Sequence, residues 1–248
     1  MFYSFIIYNQ STMNILITGA SRGIGAELAY QLSNGKHHMI LLSRNKKNLT
    51  ELSKRCNDRA GRKVAVPLVF DLSDIENESD NLLRAIGKEL PVLDVLVNNA
   101  GMVLRNNFEA ISPEDSKKVF EVNYFAPAML TRLCLPLLKA SGHASVINIT
   151  SMAGFQGSMK FSGLSHYAAS KAALGALTEL LAVELKDDNI HVNALSFGAV
   201  QTEMLAEAFP GYKAPVNASE MASFVAWFVE EGWKHFNGKI LPVTSTTP

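Results

Sequence analysis

Asn14-Ile-Leu-Ile-Thr18-Gly19-Ala-Ser-Arg-Gly23-Ile-Gly25 is the stretch that determines the fold of this chain. Its first five residues predict a short buried strand, and the apolar pattern after it predicts a helix that stops at Asn34-Gly35. Glycines let the main chain approach an anion, and the free N–H groups of the helix start face it. The stretch therefore predicts a phosphate-binding turn of dinucleotide type, with contacts from Gly19, Ser21, Arg22, Gly23, Ile24 and Gly25.

Apolar, strand-like runs alternate with helical patterns along the rest of the chain. This alternation is typical of a parallel sheet with helices on both faces. The predicted fold class is therefore α/β: a single-domain, Rossmann-type, doubly wound parallel sheet, assigned to residues 13–248. The predicted strands are 14–18, 38–43, 64–70, 92–97, 145–150, 190–196 and 239–243.

The second predicted strand ends at Ser43-Arg44, about 20 residues after the glycines. A dinucleotide fingerprint places at this position the group that faces the adenosine ribose. A carboxylate there would repel a 2′-phosphate, whereas Arg44 can bind one with a charge-assisted fork, and Arg22 lies close by in the turn. Ser43-Arg44 thus favours NADP(H) over NAD(H), although Arg44 could instead be a solvated surface arginine.

Tyr167 and Lys171 lie four residues apart in a segment that predicts a helix, so they share one face. An ammonium near a phenol stabilises the phenolate, and this pairing predicts a Tyr167 pKa lowered towards neutrality. Such a tyrosine can donate and accept a proton. Taken alone, the pair could equally be a solvated surface pair.

With these residues in order, the chain resembles the short-chain dehydrogenase/reductase family from Asn14 onwards. Residues 18–25 are similar to the family's cofactor loop and Tyr167 with Lys171 to its Tyr-x-x-x-Lys pair. The further matching motifs are Asp71-Leu72, Asn98-Asn99-Ala100-Gly101, Asn123 and Ser151.

The resemblance implies a mechanism in which NADPH delivers hydride to a carbonyl and Tyr167 protonates the resulting alkoxide. Ser151 would hold that oxygen. Lys171 would tune Tyr167 and bind the nicotinamide ribose, and Asn123 would hold a water that connects Lys171 to solvent. Two plainer interpretations stay open: Ser151 as a cap or turn serine, and Asn123 as the filler of a helix break before Pro127.

The same resemblance implies the remaining cofactor contacts and shows where this chain departs from the family. Phe197 stands where the family has proline, so a phenyl ring is expected beside the nicotinamide. The loop between Ser151 and Tyr167 is longer than usual, and the lid after Thr202 is short. The implied contacts are to adenine from Asp71 and Leu72, to the carboxamide from Val200 and Thr202, and to the ribose from Tyr167 and Lys171. Further cofactor contacts are implied for Asn98, Ala100 and Gly101.

Composition excludes several other classes of function. The 248 residues carry 23 basic and 23 acidic side chains, which gives no electrostatic footprint for nucleic acid or an anionic membrane. Cys56 and Cys134 follow no metal-ligand spacing, so no metal site is expected. The two cysteines are expected to be reduced thiols in a cytoplasmic protein. Ser151 lacks the nucleophile elbow of a hydrolase.

Residues 1–12 precede the family-like part and are interpreted as an N-terminal extension. Their apolar run is too short to span a bilayer and lacks the features of a signal peptide. Either translation starts at Met13, or the segment packs on the protein or on a neighbouring copy.

Assembly and substrate are the least defined expectations. The C-terminus lacks the paired glycines common in tetrameric relatives, so a homodimer through helices around 112–140 and 165–187 is expected before a homotetramer. The expected substrate is an apolar carbonyl compound or alcohol. Two rival functions are a non-catalytic NADP-binding sensor or scaffold and a sugar-nucleotide isomerase or dehydratase. The expected pocket residues are Met102, Val103, Leu104, Met152, Phe155, Phe161, Phe197, Met204 and Leu205.

Overall fold

The structure is a computed structural model that describes residues 12–244. The proposed extension, apart from residue 12, and the last four residues lie outside this range. The strands are β1 Asn14–Thr18, β2 His38–Ser43, β3 Ala65–Val69, β4 Val95–Asn98, β5 Ala144–Ser151, β6 Ile190–Phe197, β7 Val200–Gln201, β8 Val216–Asn217 and β9 Ile240–Val243. The α-helices are α1 Gly23–Leu32, α2 Lys46–Ala60, α3 Ile75–Glu89, α4 Pro113–Phe120, α5 Ala126–Ser141, α6 Ser165–Glu184, α7 Glu203–Ala208 and α8 Ala218–Glu230.

Seven strands form one parallel sheet in the order β3-β2-β1-β4-β5-β6-β9. Each of the seven predicted strands corresponds to one of them, and the doubly wound parallel fold is confirmed. The chain begins in the middle at β1, runs outward to β3, and then crosses to β4 on the other side. Because the winding direction reverses between β1 and β4, the carboxyl ends of these two strands open a crevice.

Two apolar clusters cover the two faces of the sheet. On one face α1, α2 and α8 pack through side chains such as Leu28, Leu49 and Phe228, all at most 1% exposed. On the other face α3, α5 and α6 pack around the β1, β4 and β5 side chains. Burial on both faces explains why the central strands are nearly continuous apolar runs.

Four of the eight α-helices described above, α2, α4, α7 and α8, start with a side-chain cap. Asn45 accepts from Asn48 N at the start of α2, and Ser112 accepts from Asp115 N before α4. Asn217 and Glu220 form a reciprocal capping box at α8. These caps satisfy N–H groups that have no partner within the helix.

Two features between the main elements were not predicted. The turn between α4 and α5 is π-helical from Glu121 to Phe125. The short strands β7 and β8 pair in parallel and precede α7 and α8, respectively.

Within residues 12–244, none of the helices is both long and apolar enough to cross a membrane.

Candidate active site

The glycine turn lies at the carboxyl end of β1, at the crevice. Gly19 and Gly23 have φ of 66° and 56°, a left-handed conformation that favours glycine. Gly25 is constrained differently, because an added Cβ would lie 2.6 Å from the Gly19 carbonyl oxygen and 2.5 Å from Asn99 Nδ2. The glycine at position 25 therefore allows the turn to close against its own main chain.

Asn99 fastens this turn to the segment that follows β4. Its side-chain amide donates to the carbonyl oxygens of Thr18 at 2.9 Å and Gly19 at 3.3 Å. In return, the Thr18 hydroxyl accepts from the N–H groups of Asn99 at 3.0 Å and Ala100 at 2.9 Å. These four hydrogen bonds hold the ends of β1 and β4 in one fixed relation.

The start of α1 differs from the capped helices. Arg22 occupies the cap position without a side-chain hydrogen bond, and the first turn contains no acidic residue. The first-turn N–H groups of Gly23 and Ile24 therefore lack the side-chain cap that α2, α4 and α8 have, and the positive end of the helix dipole faces the crevice. This arrangement fits an anionic group such as a phosphate.

The end of β2 supplies the second part of the crevice. Ser43 Oγ donates to Ser21 Oγ at 2.8 Å, which ties β2 to the glycine turn. Arg44 Nη1 lies 3.6 Å from Asp71 Oδ2, and the Arg44 side chain is 71% exposed. Partial burial opposes ionisation of Asp71, but hydrogen bonds from Ser73 and the charge of Arg44 hold the pKa of that carboxyl below its usual value. Arg44 and Asp71 border a cavity of about 530 Å³.

Arg22 has an unpredicted partner. Its Nη1 donates to Glu207 Oε1 in α7 at 2.6 Å, and both side chains are substantially exposed. The hydrogen bond raises the pKa of Arg22 and lowers the pKa of Glu207. The glycine turn is therefore bonded directly to α7, the helix of the lid that follows Thr202.

Two residues predicted to contact the cofactor, Asn98 and Leu72, have buried side chains. Asn98 is 3% exposed and its amide nitrogen donates to Asn148 Oδ1 at 2.8 Å and Thr131 Oγ1 at 3.2 Å. Leu72 is 7% exposed and packs in the core cluster with α3. Their side chains stabilise the sheet and its neighbours, because alternation along the chain turns them into the interior.

Ser151 and Tyr167 meet at the carboxyl end of β5. Ser151 is the last residue of β5, and its hydroxyl hydrogen bonds to the phenol of Tyr167 in the first turn of α6. Ser151 Oγ also accepts from Ala153 N at 3.2 Å, so the cap role and the contact with Tyr167 occur together.

The Tyr167 pKa departs from the prediction. Burial raises the pKa of Tyr167, and the Ser151 hydrogen bond opposes this rise only in part. The predicted lowering by Lys171 is wrong. The ammonium of Lys171 does not determine the Tyr167 pKa here, because it is bound elsewhere.

Lys171 is buried beneath the site with 6% of its surface exposed. Its Nζ donates to the carbonyl oxygen of Ile149 at 2.9 Å. A Cβ on Gly101 would lie 3.3 Å from this nitrogen, so Gly101 gives the ammonium room. Burial lowers the pKa of Lys171 to about 8, which makes this lysine a group that titrates near working pH.

Asn123 lies in the π-helical turn and is completely buried. Its side-chain oxygen accepts from Met102 N at 2.9 Å, and its nitrogen donates to Met102 O at 2.9 Å and Ser170 Oγ at 3.0 Å. Both hydrogens of Asn123 Nδ2 are therefore used, and a water held by Asn123 would donate to one of its oxygen atoms. Its side chain connects α6 to the segment that borders the substrate side.

The segment after β6 arranges its residues in an unexpected way. Phe197 is 5% exposed and packs in the core with α1 and α8, so the expected phenyl wall beside the nicotinamide is wrong. Thr202 caps α7, because its Oγ1 accepts from Leu205 N at 3.2 Å. Val200 is buried and pairs with Val216 in the small sheet.

Three segments form the rim on the substrate side: residues 102–108, 155–164 and 203–209. Arg105 Nη1 donates to Ala208 O at 3.1 Å, and its guanidinium lies 4.4 Å from the centre of the Phe209 ring. Asn106 N donates to Gly163 O at 3.0 Å. Lys160 Nζ donates to the carbonyl oxygens of Ala153, at 2.9 Å, and Phe155, at 2.6 Å.

The rim is apolar where it meets solvent. Phe108 is 74% exposed, Met159 59% and Phe161 45%. Of the expected pocket residues, Met152 and Phe197 are buried in the protein, whereas the others keep some exposure. The described residues hold no group of three or more metal-ligating side chains.

Sequence reasoning missed the residues that connect these parts. Asn99 was quoted in a motif but not named as a contact, and Glu207 and Arg105 carried no signal at all. The Asn-Asn repeat could have indicated that one amide serves the sheet and the next serves the turn, since neighbouring side chains point to opposite sides.

A family model described as short chain dehydrogenase matches residues 13–213. The chain belongs to the short-chain dehydrogenase/reductase family. Members of this family are NAD(P)-dependent oxidoreductases. The match begins at the residue before β1 and reaches past α7, so it includes every site residue described above.

Individual family members share about a third of the sequence. The probable short-chain type dehydrogenase/reductase VdlC of Helicobacter pylori strain J99 is 35% identical over 215 residues, 83% of this chain and 74% of that protein. Dehydrogenase/reductase SDR family member 7B of Mus musculus is 32% identical over 199 residues, 78% of this chain. This chain spans only 59% of the mouse protein.

A solved short chain dehydrogenase from Shigella flexneri 2a strain 301, complexed with NADP, is similar in three dimensions. The TM-score is 0.84 at 29% identity, and the match covers 93% of this chain and 96% of the other. The similarity extends over nearly all of both chains.

Proposed function

We propose that this protein is an NADP(H)-dependent oxidoreductase that interconverts a carbonyl compound and its alcohol. The observation that carries the proposal is the hydrogen bond between Ser151 and Tyr167, with Lys171 buried one helical turn away. This group lies at the same carboxyl edge of the sheet as the uncapped start of α1. A proton-transfer group beside a dinucleotide-type turn is what carbonyl reduction requires.

The residues present fit NADP(H). The uncapped N–H groups of α1 and the left-handed Gly23 suit a pyrophosphate. Arg44 is exposed at the end of β2, where Ser43 stands in place of a carboxylate, and this suits a 2′-phosphate. The NADP complex of the Shigella flexneri relative supports the same cofactor.

When bound, NADPH supplies the hydride, and the protein's own residues manage the proton. Ser151 can hold the substrate oxygen by a hydrogen bond and stabilise the negative charge that develops on it. The raised pKa keeps the proton on Tyr167 until a stronger base, the substrate alkoxide, forms beside it. Tyr167 then transfers its proton to that oxygen.

Lys171 and Asn123 serve the return of the proton. The charged form of Lys171 can return a proton to the tyrosinate formed when Tyr167 gives up its own. With a pKa of about 8, Lys171 can also pass a proton on. The side chain of Asn123 fixes Met102 and Ser170 by hydrogen bonds. An oxygen atom of Asn123 can accept from a water molecule that connects Lys171 to solvent.

The rim supports an apolar substrate. Phe108, Met159 and Phe161 present exposed apolar surface on segments 102–108 and 155–164. The ammonium of Lys160 already donates hydrogen bonds to two main-chain carbonyl oxygens. A ketone or aldehyde with an apolar substituent fits this rim better than a charged one.

The test is NADPH oxidation with a panel of ketones, aldehydes, quinones and acyl thioesters, with wild type and Tyr167→Phe side by side. We expect the variant to lose about 10²- to 10⁴-fold in kcat, because it lacks the proton donor, and to lose much less in NADPH affinity, because the other cofactor contacts remain. Equal rates for both proteins would overturn the proposed role of Tyr167. NADPH binding without turnover on any compound would favour a sensor or scaffold.

NADP(H) preference is tested separately with Arg44→Ala. Hydrogen bonds to a charged group contribute roughly 1.5–3 kcal/mol, so the NADPH-to-NADH affinity ratio should fall about tenfold to a hundredfold. A control is Arg62→Ala, whose guanidinium binds the Gly35 carbonyl. An unchanged ratio in Arg44→Ala would show that Arg44 is a surface arginine.

We also propose a homodimer formed through α4, α5 and α6. Leu180 and Val183 on α6 are 60% and 75% exposed, and Phe125 beside α5 is 48% exposed. A Val183→Glu substitution should shift the mass measured by light scattering from twice 27.1 kDa to that of one chain. A wild type that elutes as a monomer would refute the dimer.

The cysteines support a reducing compartment, and we propose the cytoplasm. Cys56 and Cys134 are both free and buried, and burial raises the pKa of Cys134 to about 12. Cell fractionation tests this placement; recovery in an oxidising compartment would refute it.

A further inference from the structure

Helix α7 turns two carboxylates towards the glycine turn. Glu203 and Glu207 lie one helical turn apart, so they share a face. Glu207 accepts the 2.6 Å hydrogen bond from Arg22. A Cβ on Gly23 would lie 3.6 Å from Glu203 Oε2, which places the second carboxylate at the uncapped start of α1.

This contact uses a group that the cofactor also needs. Arg22 is one of the two arginines proposed for the 2′-phosphate, because its neighbour Ser21 is bonded to Ser43 at the end of β2, next to Arg44. In the structure the Arg22 guanidinium is bonded to Glu207. A carboxylate and a phosphate use the same donors of a guanidinium. Both therefore compete for Arg22.

The C-terminal end of α7 is also held from the substrate side. Arg105 donates to the Ala208 carbonyl oxygen and stacks on Phe209. Consecutive residues 207–209 are thus bound by one arginine of the cofactor turn and one arginine of the substrate rim. Release of the first contact leaves the Arg105 contacts with Ala208 and Phe209 in place.

We propose that Glu207 is a specificity-determining residue that competes with the 2′-phosphate of NADP(H) for Arg22. The inference rests on the proposed function and adds a residue of the lid to its cofactor site. Binding of NADP(H) replaces the Arg22–Glu207 bond with an Arg22–phosphate bond and frees the cofactor side of α7. NAD(H), which has no 2′-phosphate, leaves the bond intact.

The experiment measures dissociation constants by titration calorimetry for 2′,5′-ADP and 5′-AMP, a pair of probes that differ only by the 2′-phosphate. The proteins are wild type, Glu207→Gln and the matched control Glu231→Gln, which removes the same charge from an exposed pair with Lys234. The double variant Arg22→Ala with Glu207→Gln completes a cycle with Arg22→Ala.

We expect Glu207→Gln to bind 2′,5′-ADP about two- to fivefold more tightly than wild type, the range that an exposed ion pair supports. Binding of 5′-AMP and all values for Glu231→Gln should stay unchanged. In the Arg22→Ala background the Glu207 substitution should have no effect, and the gain should shrink at high salt.

Unchanged 2′,5′-ADP affinity in Glu207→Gln overturns the inference. An equal gain for 5′-AMP also overturns it, because the competition would then not involve the 2′-phosphate. Failure of the proposed function has a separate signature: wild type would bind 2′,5′-ADP no better than 5′-AMP, and Arg44→Ala would change neither.

Discussion

The cofactor side and the substrate side of the crevice are built by different means. On the cofactor side, glycines with fixed conformations and the Asn99 bonds to Thr18 and Gly19 hold the main chain itself. On the substrate side, exposed segments are joined by long side chains such as Arg105 and Lys160. The first kind of contact tolerates almost no change, whereas the second can change with the substrate.

The largest effect is expected from Gly25→Ala on the cofactor side. The new methyl group would meet the Gly19 carbonyl oxygen at 2.6 Å, and a main-chain atom cannot rotate away. We expect NADP⁺ affinity to fall more than about 100-fold, because the turn must open, with a loss of roughly 1–3 kcal/mol in unfolding free energy. Fluorescence titration and urea unfolding measure both.

The matched substitution on the substrate side is Gly157→Ala. Gly157 has φ of 79° but open space around its Cβ position, so only backbone strain of about 1 kcal/mol is expected. NADP⁺ affinity should not change. If both alanine variants bind NADP⁺ equally well, the contrast between the two sides fails.

Asn99→Ala should have the next largest effect. It removes two hydrogen bonds to the carbonyl oxygens of the glycine turn, which costs about 1–3 kcal/mol and lowers NADP⁺ affinity about tenfold or more. The control is Asn106→Ala, which loses a bond to Ala110 O on the substrate side. Cofactor affinity that drops as much in the control would refute a special role for Asn99.

Lys171 should give the reduction rate a pH dependence. The pKa of this buried ammonium is lowered to about 8, so Lys171 carries its charge below pH 8 and loses it as the pH rises. Since only the charged form of Lys171 can return a proton to the tyrosinate of Tyr167, kcat should be constant below pH 8 and fall about tenfold per unit above it. Steady-state assays from pH 6 to 10 measure this limb.

Two variants assign the limb to one lysine. Lys171→Arg should move it upward, since arginine keeps its proton throughout the range. Lys160→Met on the exposed rim should leave it in place. If the fall of kcat at high pH shifts in Lys160→Met and not in Lys171→Arg, the assignment to Lys171 is contradicted.

Arg105→Ala should give the smallest effect. It removes one hydrogen bond to Ala208 O and the stack on Phe209, contacts that together contribute about 1–2 kcal/mol. We expect KM for the carbonyl substrate to rise up to about tenfold, with NADPH affinity unchanged. Arg105→Lys keeps the charge without the planar stack and should lie between the two. A change in NADPH affinity instead of the KM for the carbonyl substrate would contradict the division between the cofactor side and the substrate side.

The same division explains what the sequence could predict. The sequence could predict the parallel sheet, the glycine turn and the shared helix face of Tyr167 and Lys171, because main-chain geometry and helical periodicity determine them. The partners of Arg22 and Arg105 were not, since they depend on how α7 lies over residues far away in the chain. The direction of the Tyr167 pKa was wrong, and the burial of the Asn98 side chain was not foreseen, because both depend on which face is buried.

The most direct test of the central claim is the transfer of deuterium from NADPH labelled at C4 on the transferred position. The wild type would reduce whichever compound of the panel it turns over fastest, and mass spectrometry would locate the label. The proposed function predicts one deuterium on the new carbinol carbon of the alcohol, with Tyr167→Phe forming that alcohol at least about 10²-fold more slowly. Alcohol without the label, or labelled alcohol formed equally fast by the variant, would contradict it.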